Sequence, residues 1–271
     1  MKAPSFAYAK PRSLAETLEL LERHGDGARI LAGGQSLIPT LNMRLSSPDL
    51  LVDITGLSDL STIKTIDGAL QIGALVTHSQ IENSAEVKKQ IPLLAEAVPH
   101  IAHAAIRNRG TIGGSLALAD PAAEYPACVL ALSAVLVISG KRGERRVKAD
   151  DFFKGLFETD VKPGEVLTAV EFPLAKPSDR SVFQELTRRH GDYAIIGLAA
   201  HRNASGLRLA YFGAGPTPVL AKTAASQATL EKAKAALEKD LNPPADLYHS
   251  SATKLHLAKV LLERAWNAIS K

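Results

Sequence analysis

Leu14, Leu18 and Leu21 recur at the three- and four-residue spacing that puts side chains on one face of a helix. Ser13 precedes them and Glu16 follows three places on, the spacing of a capping box, and Gly25 is placed to end the helix in the left-handed conformation. Residues 29–32 and 50–54 are short apolar runs that predict buried strands. Residues 62–66 and 70–73 flank Asp67-Gly68, the signal of a tight hairpin. Thr77 and Gln80 predict another helix start, and a proline-punctuated helical stretch follows over 92–106. Asp120-Pro121 reads as an N-cap followed by the residue best suited to the first helical position. Residues 135–139 and 145–148 predict strands around the polar turn 140–144, and 165–172 a further strand.

The pattern changes after the polar, proline-bearing segment 173–179. Strands at 182–188, 194–201 and 207–212 are followed by two long helices, 219–240 and 251–269, the last with Leu255, Val260, Leu261 and Trp266 on a broad apolar face. Strands first and helices after indicate an α+β unit with a small antiparallel sheet, not a βαβ array. A chain of 271 residues suggests two domains, and segment 173–179 is the expected boundary.

Composition narrows the function more by exclusion. The 46% hydrophobic and 22% charged residues are ordinary for a globular chain, which disfavours disorder and coiled coil. Cys128 is the only cysteine, so the chain forms no internal disulfide, cysteine-ligated iron–sulfur cluster or multi-cysteine zinc site. The net charge is +4, but Lys and Arg are scattered among acids, and only 5% of residues are aromatic, which argues against nucleic acid. The first residues carry no apolar signal segment, and the longest apolar stretch, 127–138, is too short to span a bilayer. A cytoplasmic protein is expected.

Two segments carry the candidate chemistry: Leu31-Ala-Gly-Gly-Gln-Ser-Leu37 and Arg109-Gly-Thr-Ile-Gly-Gly-Ser-Leu116. Each is expected to follow an extended segment, pairs two glycines and adds a hydroxyl residue. Glycines with positive φ let successive N–H groups point into one concavity and leave no Cβ to block a ligand. Two such loops could hold a pyrophosphate; either could also be only a turn. Neither matches a nucleotide fingerprint: there is no G-x-x-x-x-G-K-[ST], Gly25-Asp-Gly27 precedes a strand, and Gly213-Ala-Gly215 runs into Pro216 and Pro218.

These loops, with Asp120-Pro-Ala-Ala-Glu124 and Arg188-Arg-His-Gly-Asp-Tyr193, resemble the FAD-binding medium subunits of the molybdenum hydroxylases, the xanthine dehydrogenase and carbon monoxide dehydrogenase group. The resemblance covers essentially the whole chain. It implies a PCMH-type FAD-binding domain over 1–175 in two lobes, 1–56 and 57–175, and a C-terminal flavoprotein domain over 179–271. It also implies that Arg29, Ile30, Leu31, Ala32, Gly33, Gly34, Gln35, Ser36 and Leu37, with Thr111, Gly113, Gly114 and Ser115, wrap the phosphates and ribityl chain of FAD. Glu124 would accept a hydrogen bond from a cofactor hydroxyl, and Tyr193 would lie near the isoalloxazine ring. Many relatives carry a polar residue, often His, where this chain has Leu118, so no hydrogen bond is carried over there. Some relatives add a cysteine-rich insertion for a [4Fe–4S] cluster, which the single Cys128 excludes. Molybdopterin and [2Fe–2S] centres are expected on a large and a small partner subunit, in a dimer of heterotrimers.

Other candidates compete. His100 and His103 stand at a metal-ligand spacing, but no third ligand is near them in sequence. Gly34-Gln-Ser36 resembles the start of a nucleophile elbow, with Ile38 in place of its last glycine. Asp53 reads first as a strand-terminal cap, and Arg107 and Arg109 as ion-pairing residues or as contacts to an anion or subunit. No general acid or base is expected, because in a flavoprotein the cofactor carries the redox chemistry. The alternatives are a nucleotide-binding module without redox turnover and a self-contained FAD oxidase.

Overall fold

The computed structural model describes residues 2–270 and contains three larger sheets, each with its own helical cover, and one two-stranded hairpin. The first sheet is parallel, in the order Ala7–Ala9, Leu50–Asp53, Ala28–Leu31. Its central strand is buried at every position, as a continuous apolar run requires. The helix Leu14–His24 closes one face through Leu18 and Leu21. Ser13 Oγ accepts the Glu16 N–H at 3.1 Å, while the Glu16 carboxylate accepts from the Arg12 N–H at 2.7 Å, one residue before the box position. Gly25 has φ +49° but ψ −130°, so it ends the helix outside the left-handed helical region.

The second sheet is antiparallel, in the order Ile63–Ile66, Ala69–Gly73, Val166–Pro173, Val135–Gly140, Gly143–Lys148. Asp67 and Gly68 both have positive φ, +49° and +79°, as a two-residue hairpin turn demands. The helix Glu124–Ala131 is buried at all eight positions, an element apolar nearly all round because it is enclosed on every side.

The third sheet is antiparallel, in the order Arg180–Leu186, Ile196–Asn203, Gly206–Phe212, Val219–Leu220. Its second strand is buried on both faces. Ile196, Leu198 and Ala200 meet Leu261 and Leu262 of the helix Ser251–Ile269, while Ala199 joins Phe183 and Phe212 in the cluster that also holds Tyr125 and Cys128. This sheet is therefore shared between two cores.

Three expectations fail locally, each for a visible reason. Asp120 does not cap a helix: its carboxylate accepts the Ala122 N–H at 2.9 Å in a local turn, and the helix starts later, at Glu124. The stretch 92–106 breaks into Pro92–Ala97, the 3-10 turn Val98–His100 and Ala104–Arg107, with Pro99 and a positive φ at Ala102 between them. The long helix over 219–240 is instead the strand Val219–Leu220, the turn Lys222–Ala225 and the helix Leu230–Asp240. There the Asp240 carboxylate takes the N–H groups of Thr223 and Ala224 at 3.1 and 2.7 Å, and Thr229 caps the second helix.

Candidate functional site

The two glycine segments meet. A Cβ on Gly33 would lie 2.2 Å from the Arg109 carbonyl oxygen and 2.8 Å from Gly110 Cα, so only glycine permits this approach. Gly34 has φ +73° and turns the chain out of the strand Ala28–Leu31 toward the helix Leu37–Asn42. Among the described residues, the N–H groups of Gly33, Gly34, Gln35, Ser36 and Leu37 have no acceptor in the chain. Ser36 stands at the N-cap without a side-chain cap bond, which leaves those donors unspent. Five consecutive free N–H groups at a helix start suit an anion such as a pyrophosphate.

The other residues of this segment serve it differently. Ile30, Leu31 and Ala32 are half-buried; Ile30 and Ala32 pack against the first core, while Leu31 lies against the Gly34 turn. The Gln35 amide donates to the Gly33 carbonyl at 3.0 Å and closes the turn on itself. Arg29 is exposed, and its guanidinium turns back to the carbonyls of Asp26 and Ala28, both at 2.9 Å.

The second segment is built on another plan. It follows the short helix Ala104–Arg107, not a strand, and Thr111 is the N-cap of the helix Ile112–Leu118. Gly110, Gly113 and Gly114 all lie outside the positive-φ region. Their N–H cradle is also already occupied. Ile112 donates to Val76 O, Gly113 to Ala74 O, Gly114 to Thr111 Oγ1 and Ser115 to Thr111 O, at 2.9–3.1 Å. The expectation of a second set of free backbone donors is thus corrected. Glycine at 113 serves packing, since a Cβ there would come within 2.4 Å of Ala74 Cβ. Gly114 is exposed and Ser115 half-exposed, so this segment offers the site a small-residue wall and one hydroxyl.

The helix Ile112–Leu118 leads to Asp120 and Glu124. Glu124 is the first residue of the buried helix and is 8% exposed. Burial raises its carboxyl to about 7; Glu185 and Asp120 add to the shift, while its own backbone N–H and His100 oppose it. Tyr193 projects from the turn after Arg180–Leu186 and is 69% exposed as a residue. Partial burial, then the charges of Asp120 and Glu124, raise its phenol. The structure thus brings Glu124 and Tyr193 to the same neighbourhood.

Sequence reasoning overlooked several supports. Ala74, Val76 and His78 back the second segment through main-chain atoms and ring packing, which no side-chain pattern announces. Glu185 also gave no signal, being one acid in a strand.

The competing candidates resolve on geometry. Asp53 is a cap: its carboxylate accepts the Thr55 N–H and hydroxyl at 2.9 and 2.6 Å and the Tyr8 hydroxyl. Arg107 is internal, paired with Glu82 at 2.9 Å and donating to Ile101 O and Ala102 O at 3.0 and 3.2 Å. Arg109 is exposed beside the Gly33 contact. His100 pairs with Glu185 at 3.2 Å, and His103 is exposed. Cys128 is fully buried, and burial pushes its thiol well up, away from reactivity.

Comparison with known proteins gives one family over both parts of the chain. Residues 4–175 match the FAD binding domain in molybdopterin dehydrogenase, and residues 181–269 the CO dehydrogenase flavoprotein C-terminal domain. The glyceraldehyde dehydrogenase medium chain of Sulfolobus acidocaldarius is 38% identical over the full length of both chains. The 6-hydroxypseudooxynicotine dehydrogenase complex subunit alpha of Paenarthrobacter nicotinovorans is 37% identical, covering 97% of this chain and 94% of that one. Among solved structures, carbon monoxide dehydrogenase from Hydrogenophaga pseudoflava superimposes with a TM-score of 0.95 at 33% identity, covering 100% of this chain and 99% of that chain. Among the described residues no helix is long and apolar enough to cross a membrane.

Proposed function

Because this chain belongs to the family of FAD-binding medium subunits of molybdenum hydroxylases, we propose that it is the electron-transfer flavoprotein of such an oxidoreductase. The observation that carries this reading is the run of free N–H groups from Gly33 to Leu37, set against the second glycine segment. Those donors would receive the pyrophosphate, with Ser36 and Ser115 adding hydroxyls. Arg29, Ile30, Leu31, Ala32, Gln35, Thr111, Gly113 and Gly114 would shape the walls around it. Glu124 would hold a cofactor hydroxyl, and Tyr193 would cover part of the ring. Bound there, FAD supplies a carrier that takes electrons from molybdenum and [2Fe–2S] centres and releases them to an external acceptor.

Those centres would sit on a large and a small partner subunit, in a dimer of heterotrimers, since Cys128 is the only cysteine of this chain and is buried. The division into 1–175, with lobes 1–56 and 57–175, and 179–271 belongs to the same reading, as does a cytoplasmic location. The complex isolated from its source should be yellow and carry FAD releasable on denaturation. A flavin-free, colourless complex that cannot be reconstituted with FAD would sink the proposal.

A further inference from the structure

A cavity of about 130 Å³ opens beside segment 173–179, whose Ala175 N–H donates to Gln90 O at 2.9 Å. One side of its lining is apolar, from Ile91, Pro92, Leu132, Pro173 and Leu174. The other side is polar and is built around His201, which is 6% exposed near the end of the strand Ile196–Asn203. Hydrogen bonds fix the state of that ring. Asn203 Oδ1 accepts the Ser205 N–H at 2.8 Å, which turns Asn203 Nδ2 toward His201 Nε2, 3.4 Å away. Nε2 is then the acceptor, so the proton sits on Nδ1 and is donated to Ser181 Oγ at 2.8 Å. This leaves Ser181 Oγ one lone pair to accept a further donor.

Asp179, on the same lining, supplies a charge. Its Oδ2 accepts the Lys176 N–H at 2.9 Å, while its Oδ1 is buried without a partner. Among the described residues no cation pairs with it. The adjacent Arg180 spends its guanidinium on the carbonyls of Pro177 and Asp179, at 3.0 and 2.9 Å. Burial lowers the pKa of His201 most, the charge of Asp179 opposes this, and Arg208 lowers it again, so the ring is neutral at neutral pH. A half-buried carboxylate beside an apolar wall, with no counter-ion, is an incomplete pairing.

We propose that this cavity binds a small organic ammonium, with its charge on Asp179, an N–H to Ser181 Oγ and its hydrocarbon body against Ile91, Leu132 and Leu174. The volume suits a body of about four to six heavy atoms, since a cavity of roughly 150 Å³ admits benzene. Occupancy ties segment 173–179 to Leu132 on one side and to Ser181 and His201 on the other, and so stabilises the junction between them. The lining shares no residue with the proposed cofactor site, and flavin occupancy should not change on binding.

The test titrates the full chain with n-butylammonium, and with 1-butanol and butyrate as neutral and anionic molecules of the same size. Binding is read from the imidazole nitrogen resonances of His201, identified by their loss in His201→Gln, and from the melting temperature. Butylammonium should shift the His201 signals saturably, raise the melting temperature and bind about tenfold more tightly than butanol, and butyrate should not bind. Asp179→Asn keeps an acceptor for the Lys176 N–H but removes the charge, so it should bring butylammonium down to the level of butanol. Butanol or butyrate binding as tightly as butylammonium, or no saturable shift of His201, overturns the proposal. So does an Asp179→Asn chain, folded by its circular dichroism, that keeps wild-type affinity. The wild-type series stands without any variant, so a misfolded Asp179→Asn chain would still leave it decisive.

Discussion

Gly33 rests on the backbone of Arg109 so closely that a β-carbon would lie 2.2 Å from the Arg109 carbonyl oxygen. The obstacle is main chain, which cannot rotate away. Gly33→Ala should therefore force the two glycine segments apart and cost about 1–3 kcal/mol by overpacking. Thermal unfolding of the variant, compared with Gly215→Ala, where a β-carbon would meet nothing closer than 3.4 Å, measures this. Equal melting temperatures for wild type and Gly33→Ala would show that the segments do not depend on each other.

A cleaner probe of anion binding is the exposed Ser36, which stands at an N-cap without making a cap bond. Aspartate there would add a favourable negative charge beside the free N–H groups of the helix start, worth about 0.3–1 kcal/mol to the folded chain. It would also place a negative charge where the pyrophosphate is proposed. Ser36→Asp should keep or raise the melting temperature and lose FAD. Retained flavin at wild-type occupancy would move the phosphate site elsewhere.

Much of the fold was legible because hydropathy and turn chemistry act locally. The run at 50–54 became a strand buried on both faces, and Asp67-Gly68 made its hairpin. Thr77 and Gln80 formed a closed capping box. What escaped was set by distant partners. Gly113 exists for Ala74, 39 positions earlier in the chain, and Thr111 starts a helix whose first N–H groups are taken by Ala74, Val76 and Thr111 itself. A glycine pair looks the same in sequence whether it frees donors, as before Leu37, or permits packing, as at 113. Asp120 and Asp240 likewise spent their carboxylates on turns that no hydropathy pattern predicts.

His78 supplies a pH dependence of stability. It is 5% exposed beneath Gly110, with its ring 5.2 Å from Tyr125, and burial followed by the charge of Arg107 lowers it from 6.5 to about 4. The unfolded chain binds a proton here at higher pH than the folded one does. The stabilisation is therefore complete above the unfolded value and is lost as pH falls from about 6.5 to about 4, by roughly 3 kcal/mol in all. Urea unfolding of wild type and His78→Gln across that window should show the difference between them shrinking toward acid pH. Parallel curves would exclude His78 as the source.

Asp53 titrates with the same direction but in a lower window. Burial opposes its charge, yet hydrogen bonds from Thr55 and Tyr8 and the nearby Lys10 hold the carboxyl below its usual 3.8. A depressed carboxylate stabilises the fold above its unfolded value, and the gain disappears as pH falls through the folded value. Asp53→Asn should cost about 1–3 kcal/mol at neutral pH, by weakening bonds at the end of a central strand. The cost should vanish in strong acid. Denaturant midpoints at neutral pH and near pH 2 compare the two.

The C-terminal sheet is shared between two cores, and this has a consequence for cutting the chain. Phe183 and Phe212 stack at 5.6 Å on the face that meets the helix Glu124–Ala131, and Ala199 and Ala210 join them there. Arg208 pins the same junction by donating twice to Leu130 O, at 3.0 and 2.8 Å, and to Asp150. Residues 179–271 alone would keep their helical face, with Leu261 and Leu262 packed on Ile196 and Leu198. They would expose the aromatic one. An uncovered patch of that kind recruits other apolar surface. The excised segment should bind a hydrophobic dye and self-associate, whereas the full chain should do neither. Arg208→Lys in the full chain should lower the melting point by weakening the fork at Leu130, a loss of about 1–2 kcal/mol. A monomeric, dye-silent fragment would mean that the shared core contributes little to holding the two parts together.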